Sequence, residues 1–325
     1  MKVYVCERYG APEVLTLQER PQPVPQDKEV LIKVHATTVN SGDCRVRALN
    51  VPLGFRLISR LALGFSKPRQ PVLGTELAGE VVAVGQAVQQ FVVGDRVFAF
   101  TGMAMGCHAE YRCLPEDGKL ARIPAGLSDA EAAALCFGGM TALDYLRRGR
   151  LQPGERILIN GASGTVGSAL VQLARHQGAE VTAVCSTANV ERMYALGAAQ
   201  AIDYTREDFT QRGERWDVIV DTVGNAPYRR SKSVLNAGGR LLLVLAGLPD
   251  MLPAPWVALT TRHRIIAGPA AERREDLLAV AELAASGVFK PVIDCSYPFE
   301  RMVEAHRYVD GGHKRGSVVI ELLPD

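Results

Sequence analysis

The chain has 325 residues, of which 47% are hydrophobic, and its 37 basic and 35 acidic side chains leave a formal net charge of +2. That length predicts about two domains with room for a core in each. The mixed charges argue against nucleic acid or an anionic membrane as main partner. Residues 1–8 carry no apolar leader and no run of about eighteen apolar residues occurs, so the expected setting is cytoplasmic, without a membrane.

Seven cysteines, Cys6, Cys44, Cys107, Cys113, Cys136, Cys185 and Cys295, are scattered without a C-x2-C pair. That spacing speaks against a disulfide framework and against a cysteine zinc cluster, and leaves small buried hydrophobes. Cys107 and Cys113 are expected to flank a strand.

The first 125 residues read as β-rich. Glu29 to Val39 alternates around Val30, Ile32, Val34 and Ala36, and Leu77 to Val84 and Arg96 to Phe100 are further β-branched runs. Gly79, Gly85 and Gly94 punctuate a compact barrel, while Pro21, Pro23 and Pro25 make an extended connection. From Asn50 to Pro71, Leu57, Ile58, Leu61 and Leu63 stand among Arg56, Arg60, Lys67 and Arg69. This predicts a short amphipathic helix on a loop that serves as a solvated cover, in preference to an anion site.

From Ser128 the grammar changes. Ser128 and Glu131 form a capping box, and helix then alternates with strand to about Gly268, as βαβ units on a parallel sheet require. At its centre, Ile157 to Ile159 reads as a buried strand, Gly161, Gly164 and Gly167 as a turn, and Ser168 to His176 as a helix packed on the sheet. Glycines there let the main chain approach a pyrophosphate, which meets free N–H groups and the positive end of the helix dipole. Spacing alone also fits any glycine-rich α/β turn. The context adds a second apolar strand, Val181 to Cys185, ending about twenty residues on, where such folds read the adenosine ribose.

Several stretches carry a resemblance: Tyr9–Leu15, Gly74–Val81, Val93–Val97, Ala162–Gly167, Leu196–Ala199 and Asp221–Gly224. Together, and in order along nearly the whole chain, they resemble the medium-chain dehydrogenase/reductase superfamily, most closely its zinc-independent quinone oxidoreductase branch. The resemblance implies an α/β protein with a GroES-like β-barrel catalytic domain, residues 1–127 and 269–325, and a Rossmann doubly wound parallel sheet, residues 128–268.

The positions that bind catalytic zinc in the alcohol dehydrogenase pattern are matched here by Asn40, Thr75 and Phe137. Zinc takes thiolate, imidazole or carboxylate ligands, so no metal is expected; the four-cysteine structural loop is missing too. Losing that Lewis acid disfavours alkoxide chemistry but not hydride transfer to an electron-poor acceptor. The expected activity is therefore NADPH-dependent reduction of quinones or α,β-unsaturated carbonyls. The alternative is a cofactor-binding protein with a structural or RNA-binding role, since fold does not fix activity. Enoyl reductase relatives use a first-domain Tyr that residues 45–51 lack.

By resemblance, Asn40 and Asp43 line the nicotinamide end as catalytic candidates; the same pair also reads as an Asx turn after the strand. Cofactor contacts are expected from Ser163, Gly164, Thr165, Val166 and Gly167 in the turn, and from Thr141, taken to open the preceding helix. Val223, Leu245 and Ala246 follow later strands, where open α/β sheets bind ligands, though loop packing alone would also account for them. At the end of the second strand, Ser186, Thr187 and Asn189 replace the acid of NAD-specific folds, and Tyr204 matches a family position over the 2′-phosphate. Relatives pair cofactor domains edge to edge, so a homodimer through Leu241–Leu245 and Arg264–Ala267 is expected.

Overall fold

A computed structural model describes residues 1–322, which fall into two compact units. One comprises Met1–Val51, Arg56–Phe137 and the chain from Glu272 on; the other comprises Pro52–Phe55 and Gly138–Ala271.

In the first unit β1 (Lys2–Cys6) pairs antiparallel with β2 (Leu15–Glu19). Then come β3 (Glu29–Val39), α1 (Ser41–Ala48), α2 (Arg56–Leu63), β4 (Glu76–Val84), β5 (Arg96–Phe100), β6 (Tyr111–Pro115), β7 (Leu120–Arg122) and α3 (Asp129–Ala133). β3 organises the larger sheet. One edge pairs with β4; the other is shared, residues 29–33 with β6 and residues 36–39 with the last strand of the chain. Register breaks between Leu31 and Ile32 and between Val34 and Ala36 bend β3 enough to serve these neighbours. Its alternate residues Val30, Ile32 and Val34 pack with Leu77, Val81 and Val97 in one core.

The second unit takes α4 (Cys136–Gly149) from Gly138 onward. It continues through β8 (Arg156–Asn160), α5 (Thr165–His176), β9 (Glu180–Cys185), α6 (Val190–Ala195), β10 (Gln200–Asp203), β11 (Trp216–Asp221), α7 (Tyr228–Ser231), β12 (Leu235–Leu243), α8 (Leu248–Met251), α9 (Ala254–Thr260) and β13 (Arg264–Ala267). The sheet is all parallel, in the order β10-β9-β8-β11-β12-β13. The chain winds outward from β8 in one direction and then restarts at β11 in the other. The switch point lies between β8 and β11, where such sheets leave a crevice at the strands' carboxyl ends.

The first unit then resumes with α10 (Arg274–Ala285), β14 (Ile293–Pro298), α11 (Met302–Asp310) and β15 (Ser317–Glu321). β15 pairs antiparallel with β3, so the tail completes the sheet it left.

Five details differ from the sequence reading. The chain crosses at Phe137/Gly138 and Ala271/Glu272 rather than at 127/128 and 268/269, because α3, capped by Ser128 and Glu131 as expected, packs on β3 and β4. Cys113 lies within β6 instead of flanking it. Thr141 is inside α4, which starts five residues earlier at Cys136. β12 ends at Leu243 and is interior, leaving β13 as one edge, opposite β10. Finally, α2 turns its apolar side outward: Leu57, Ile58 and Leu61 are 66%, 59% and 61% exposed, while Leu63 packs on the core. Among the described residues no helix is long and apolar enough to cross a membrane.

Candidate functional site

The end of β3 delivers a buried polar cluster. Thr37 and Thr38 are the last paired threonines of the strand, and Asn40 caps α1 in a reciprocal box with Asp43. Asn40 Oδ1 accepts from the Gly42 and Asp43 amides at 2.8 and 3.1 Å, and Asp43 Oδ2 accepts from the Asn40 amide at 2.9 Å. Asp43 Oδ1 also accepts from the Gly74 amide at 3.2 Å, and its side chain is 0% exposed. Asp43 therefore ties α1 to the start of β4. The capping geometry is the Asx alternative, extended into the helix.

Asn40 does more than cap. Its Nδ2 donates to Thr75 Oγ1 at 2.6 Å, and the neighbouring Glu76 accepts from the Phe137 amide at 2.7 Å and from the Thr38 hydroxyl. The three positions that match zinc ligands elsewhere thus come together here, carrying an amide, a hydroxyl and a phenyl ring. Among the described residues no three His, Cys, Asp or Glu side chains are grouped as a metal set, and the amide–hydroxyl–phenyl chemistry is not a zinc donor set. No acceptor for the Thr75 hydroxyl proton is found among the described residues, so it remains a donor.

Burial controls the charges around this cluster. Desolvation pushes Asp43 up to about 7 despite the amides that favour its carboxylate. It pushes Glu76 up to about 7 as well, against Thr38, the Phe137 amide and the Lys314 ammonium. His108 and His306, at 5.5 Å between ring centroids, are both fully buried. Desolvation lowers His108 to about 4 and holds His306 well below its usual value.

In the second unit the glycine turn has the expected strand–turn–helix context. Gly161 is at φ +81°, and a Cβ there would fall 2.4 Å from Val223 Cγ2. Gly167 packs α5 against the turn, since its Cβ would lie 2.2 Å from the Gly161 carbonyl. Gly164 is the N-cap of α5 and supplies no side chain to cap it. A Cβ at Gly164 would meet only the Gly161 carbonyl, at 3.6 Å, so the approach to the helix start is open. These features fit a dinucleotide: close main chain, first-turn amides of Val166 and Gly167 without a side-chain cap, and the positive end of a twelve-residue helix.

The remaining expected contacts gather at the same ends of the strands. Val223 is 47% exposed after β11. Leu245 lies beyond β12, with its side chain 3.2 Å from where a Gly224 Cβ would stand, and Ala246 packs toward the core beneath. Gly138 of α4 sits so close to Thr165 that a Cβ would lie 2.7 Å from its carbonyl. Thr141, one turn later on that face of α4, is brought toward the start of α5. Ser163 is half-buried in the turn itself.

At the end of β9 the picture changes in two respects. Thr187 Oγ1 donates to Asp203 Oδ2 at 2.5 Å, and Asn189, 2% exposed, donates from Nδ2 to Ser186 Oγ at 2.9 Å. Of the three expected phosphate donors, Thr187 spends its hydroxyl proton on Asp203 and Asn189 is buried, which leaves the Ser186 hydroxyl proton accessible. The sequence reading also missed Asp203 and Arg206. Register places Asp203 beside Cys185, and Arg206 Nε lies 3.4 Å from Asp203 Oδ2. Counting residues along one strand cannot reveal a carboxylate that arrives from the neighbouring one. Tyr204, 58% exposed, stands at the same edge.

Two family profiles match the chain: the alcohol dehydrogenase GroES-like domain over residues 26–125 and the zinc-binding dehydrogenase over residues 196–320. The 2-methylene-furan-3-one reductase of Solanum lycopersicum is 33% identical, covering 100% of this chain and 80% of its own length. The chloroplastic NADPH-dependent alkenal/one oxidoreductase of Arabidopsis thaliana is 31% identical with the same coverage. The quinone oxidoreductase of Mus musculus is 30% identical over 97% of this chain and 96% of its own. Among solved structures, the quinone oxidoreductase from Coxiella burnetii superposes with a TM-score of 0.87 at 29% identity, covering 99% of both chains.

Proposed function

The chain belongs to the medium-chain dehydrogenase/reductase superfamily, in its quinone oxidoreductase branch, and from that premise we propose that it is an NADPH-dependent reductase of quinones and α,β-unsaturated carbonyls. The observation that carries the reading is the Asn40–Thr75 hydrogen bond, which sets neutral donors where zinc-dependent members hold a metal. Relatives named for enone, alkenal and quinone reduction point the same way.

NADPH, when bound, supplies the hydride. The residues of this chain do the rest. Val166 and Gly167 amides and the α5 dipole would hold the pyrophosphate, and Val223, Leu245 and Ala246 would wall it at the carboxyl ends of the strands. Reduction of a quinone or enone would place negative charge on the acceptor oxygen. The Thr75 hydroxyl, with the second N–H of Asn40, donates to that oxygen and lowers the barrier as a neutral oxyanion site. Asp43 and Glu76 do not touch substrate in this scheme: they fix Asn40 and the start of α4. The test is NADPH oxidation against a panel of p-quinones, enones and aldehydes, with metal content measured on the same sample. Saturable turnover of quinones or enones that is unaffected by a chelator is expected; turnover confined to alcohols or aldehydes and dependent on stoichiometric zinc would overturn the reading.

A further inference from the structure

We infer that Arg206, held by Asp203, is the cation with which this chain reads the 2′-phosphate of NADPH, and that Asp203 without Arg206 would select NADH. The inference rests on NADPH as the cofactor.

Parallel pairing sets Cys185 of β9 beside Asp203 of β10, so Ser186 and Thr187 leave the sheet next to Tyr204, Thr205 and Arg206. Folds specific for NAD place an acid here to accept from the ribose 2′-OH and repel a phosphate. The end of β9 has no acid, yet β10 supplies one. Asp203 is 9% exposed, and its carboxylate accepts from Thr187 Oγ1 at 2.5 Å and from Thr205 N and Oγ1 at 3.0 and 2.7 Å.

Those bonds also remove phosphate donors. Thr187 and Thr205 both point their hydroxyl protons at Asp203, and Asn189 is turned inward onto Ser186. The neutral hydroxyls of Ser186 and Tyr204 remain to face a dianion beside a carboxylate, a like-charge arrangement that disfavours the phosphate. A cation must offset it. Arg192 on α6 is half-buried and has a partner of its own, while Glu207 is drawn 2.7 Å from Arg212 and Glu191 points to solvent. Arg206 meets the need: its Nε lies 3.4 Å from Asp203 Oδ2 and its side chain is 74% exposed. The outer edge of its planar guanidinium is left for a phosphate, which such groups bind through two parallel hydrogen bonds.

The experiment is direct titration of NADPH, NADH, 2′,5′-ADP and 5′-AMP into the wild type, Arg206→Gln, Arg206→Lys and the double variant Asp203→Asn/Arg206→Gln, with thermal melts on each. Arg206→Gln should weaken NADPH and 2′,5′-ADP about tenfold to a hundredfold and leave NADH and 5′-AMP unchanged or tighter. Arg206→Lys should recover part of the loss. The double variant should bind NADPH more tightly than Arg206→Gln, because the repelling carboxylate is gone. An unchanged NADPH-to-NADH ratio in Arg206→Gln, or equal loss of both nucleotides, would overturn the inference. If the wild type itself shows no preference for NADPH, the cofactor reading fails instead.

Discussion

Asn40 and Thr75, thirty-five positions apart in sequence, are joined by a 2.6 Å bond from Nδ2 to Oγ1. Asn40 cannot rotate to any other partner without uncapping α1, because its Oδ1 holds the Gly42 and Asp43 amides. Thr75 in turn follows Gly74, whose amide is held by Asp43. The donor pair is therefore fixed from both sides, as a preorganised oxyanion site requires.

If Thr75 donates to the acceptor oxygen, Thr75→Val should lower kcat/KM for enones about tenfold to a hundredfold. Nucleotide affinity should stay as it is. Thr75→Ser should restore most of the rate. Stopped-flow hydride transfer with direct NADPH titration measures both quantities; a Thr75→Val enzyme with an unchanged hydride-transfer rate would remove Thr75 from the mechanism.

The buried ionisable groups set opposing pH slopes. His108 sits at about 4 when folded, against about 6.5 when unfolded. The unfolded chain binds that proton first, so stability falls as pH drops from about 6.5 toward 4, by about 3 kcal/mol for one such group. His306 is shifted in the same direction. Asp43 and Glu76, at about 7, work the other way: the folded chain binds those protons first, so their contribution is complete at low pH and is lost as pH rises through 7. Urea unfolding at pH 5, 6.5 and 8 should show His108→Asn losing less on acidification than the wild type. Glu76→Gln should gain relative to the wild type between pH 5 and pH 8. Parallel wild-type and variant curves would disprove the linkage.

Much of this was legible in the sequence, for physical reasons that also explain the misses. Alternation at Val30, Ile32 and Val34 marks a half-buried strand, and β3 spans Glu29–Val39 as read. The Ser128–Glu131 box is a local bond and was found locally. Gly161, Gly164 and Gly167 announce their turn because no other residue fits the contacts at Gly161 and Gly167. What stayed hidden depends on neighbours far along the chain. Thr187 and Asn189 read as phosphate donors until β10 brings Asp203 beside one and burial turns the other inward. In the same way, the convergence of Asn40, Thr75 and Phe137 needs β3, β4 and the start of α4 to be packed together.

The dimer expected from the sequence gives a prediction at one of the two edges of the parallel sheet. β13 exposes one unpaired side, with Ile265, Ile266 and Ala267 only half-buried. Such an edge invites aggregation unless another strand covers it. We predict a two-fold homodimer with β13 against its copy. Light scattering at micromolar concentration should give twice 35.1 kDa, with slow hydrogen exchange across β13; a monomer with fast exchange there would rule it out.

The last prediction separates the two tasks of the glycine turn. At Gly167 a Cβ would stand 2.2 Å from the Gly161 carbonyl and 2.7 Å from Ala162 Cα, both main-chain atoms that cannot swing aside. Gly167→Ala must push α5 away from the turn, at a cost of about 1–3 kcal/mol typical of an overpacked core. At Gly164 the backbone is at φ −76° and the only neighbour of a new Cβ is the Gly161 carbonyl at 3.6 Å, so the folded protein accepts alanine without strain. The methyl would instead project where a pyrophosphate has to come close to the start of α5. Gly164→Ala should therefore melt with the wild type yet bind both NADPH and NADH about tenfold or more weakly. Gly167→Ala should melt several degrees lower. Calorimetric melts and nucleotide titration on the two variants distinguish the roles, and a Gly164→Ala protein with undiminished nucleotide affinity would show that the pyrophosphate does not lie at this turn.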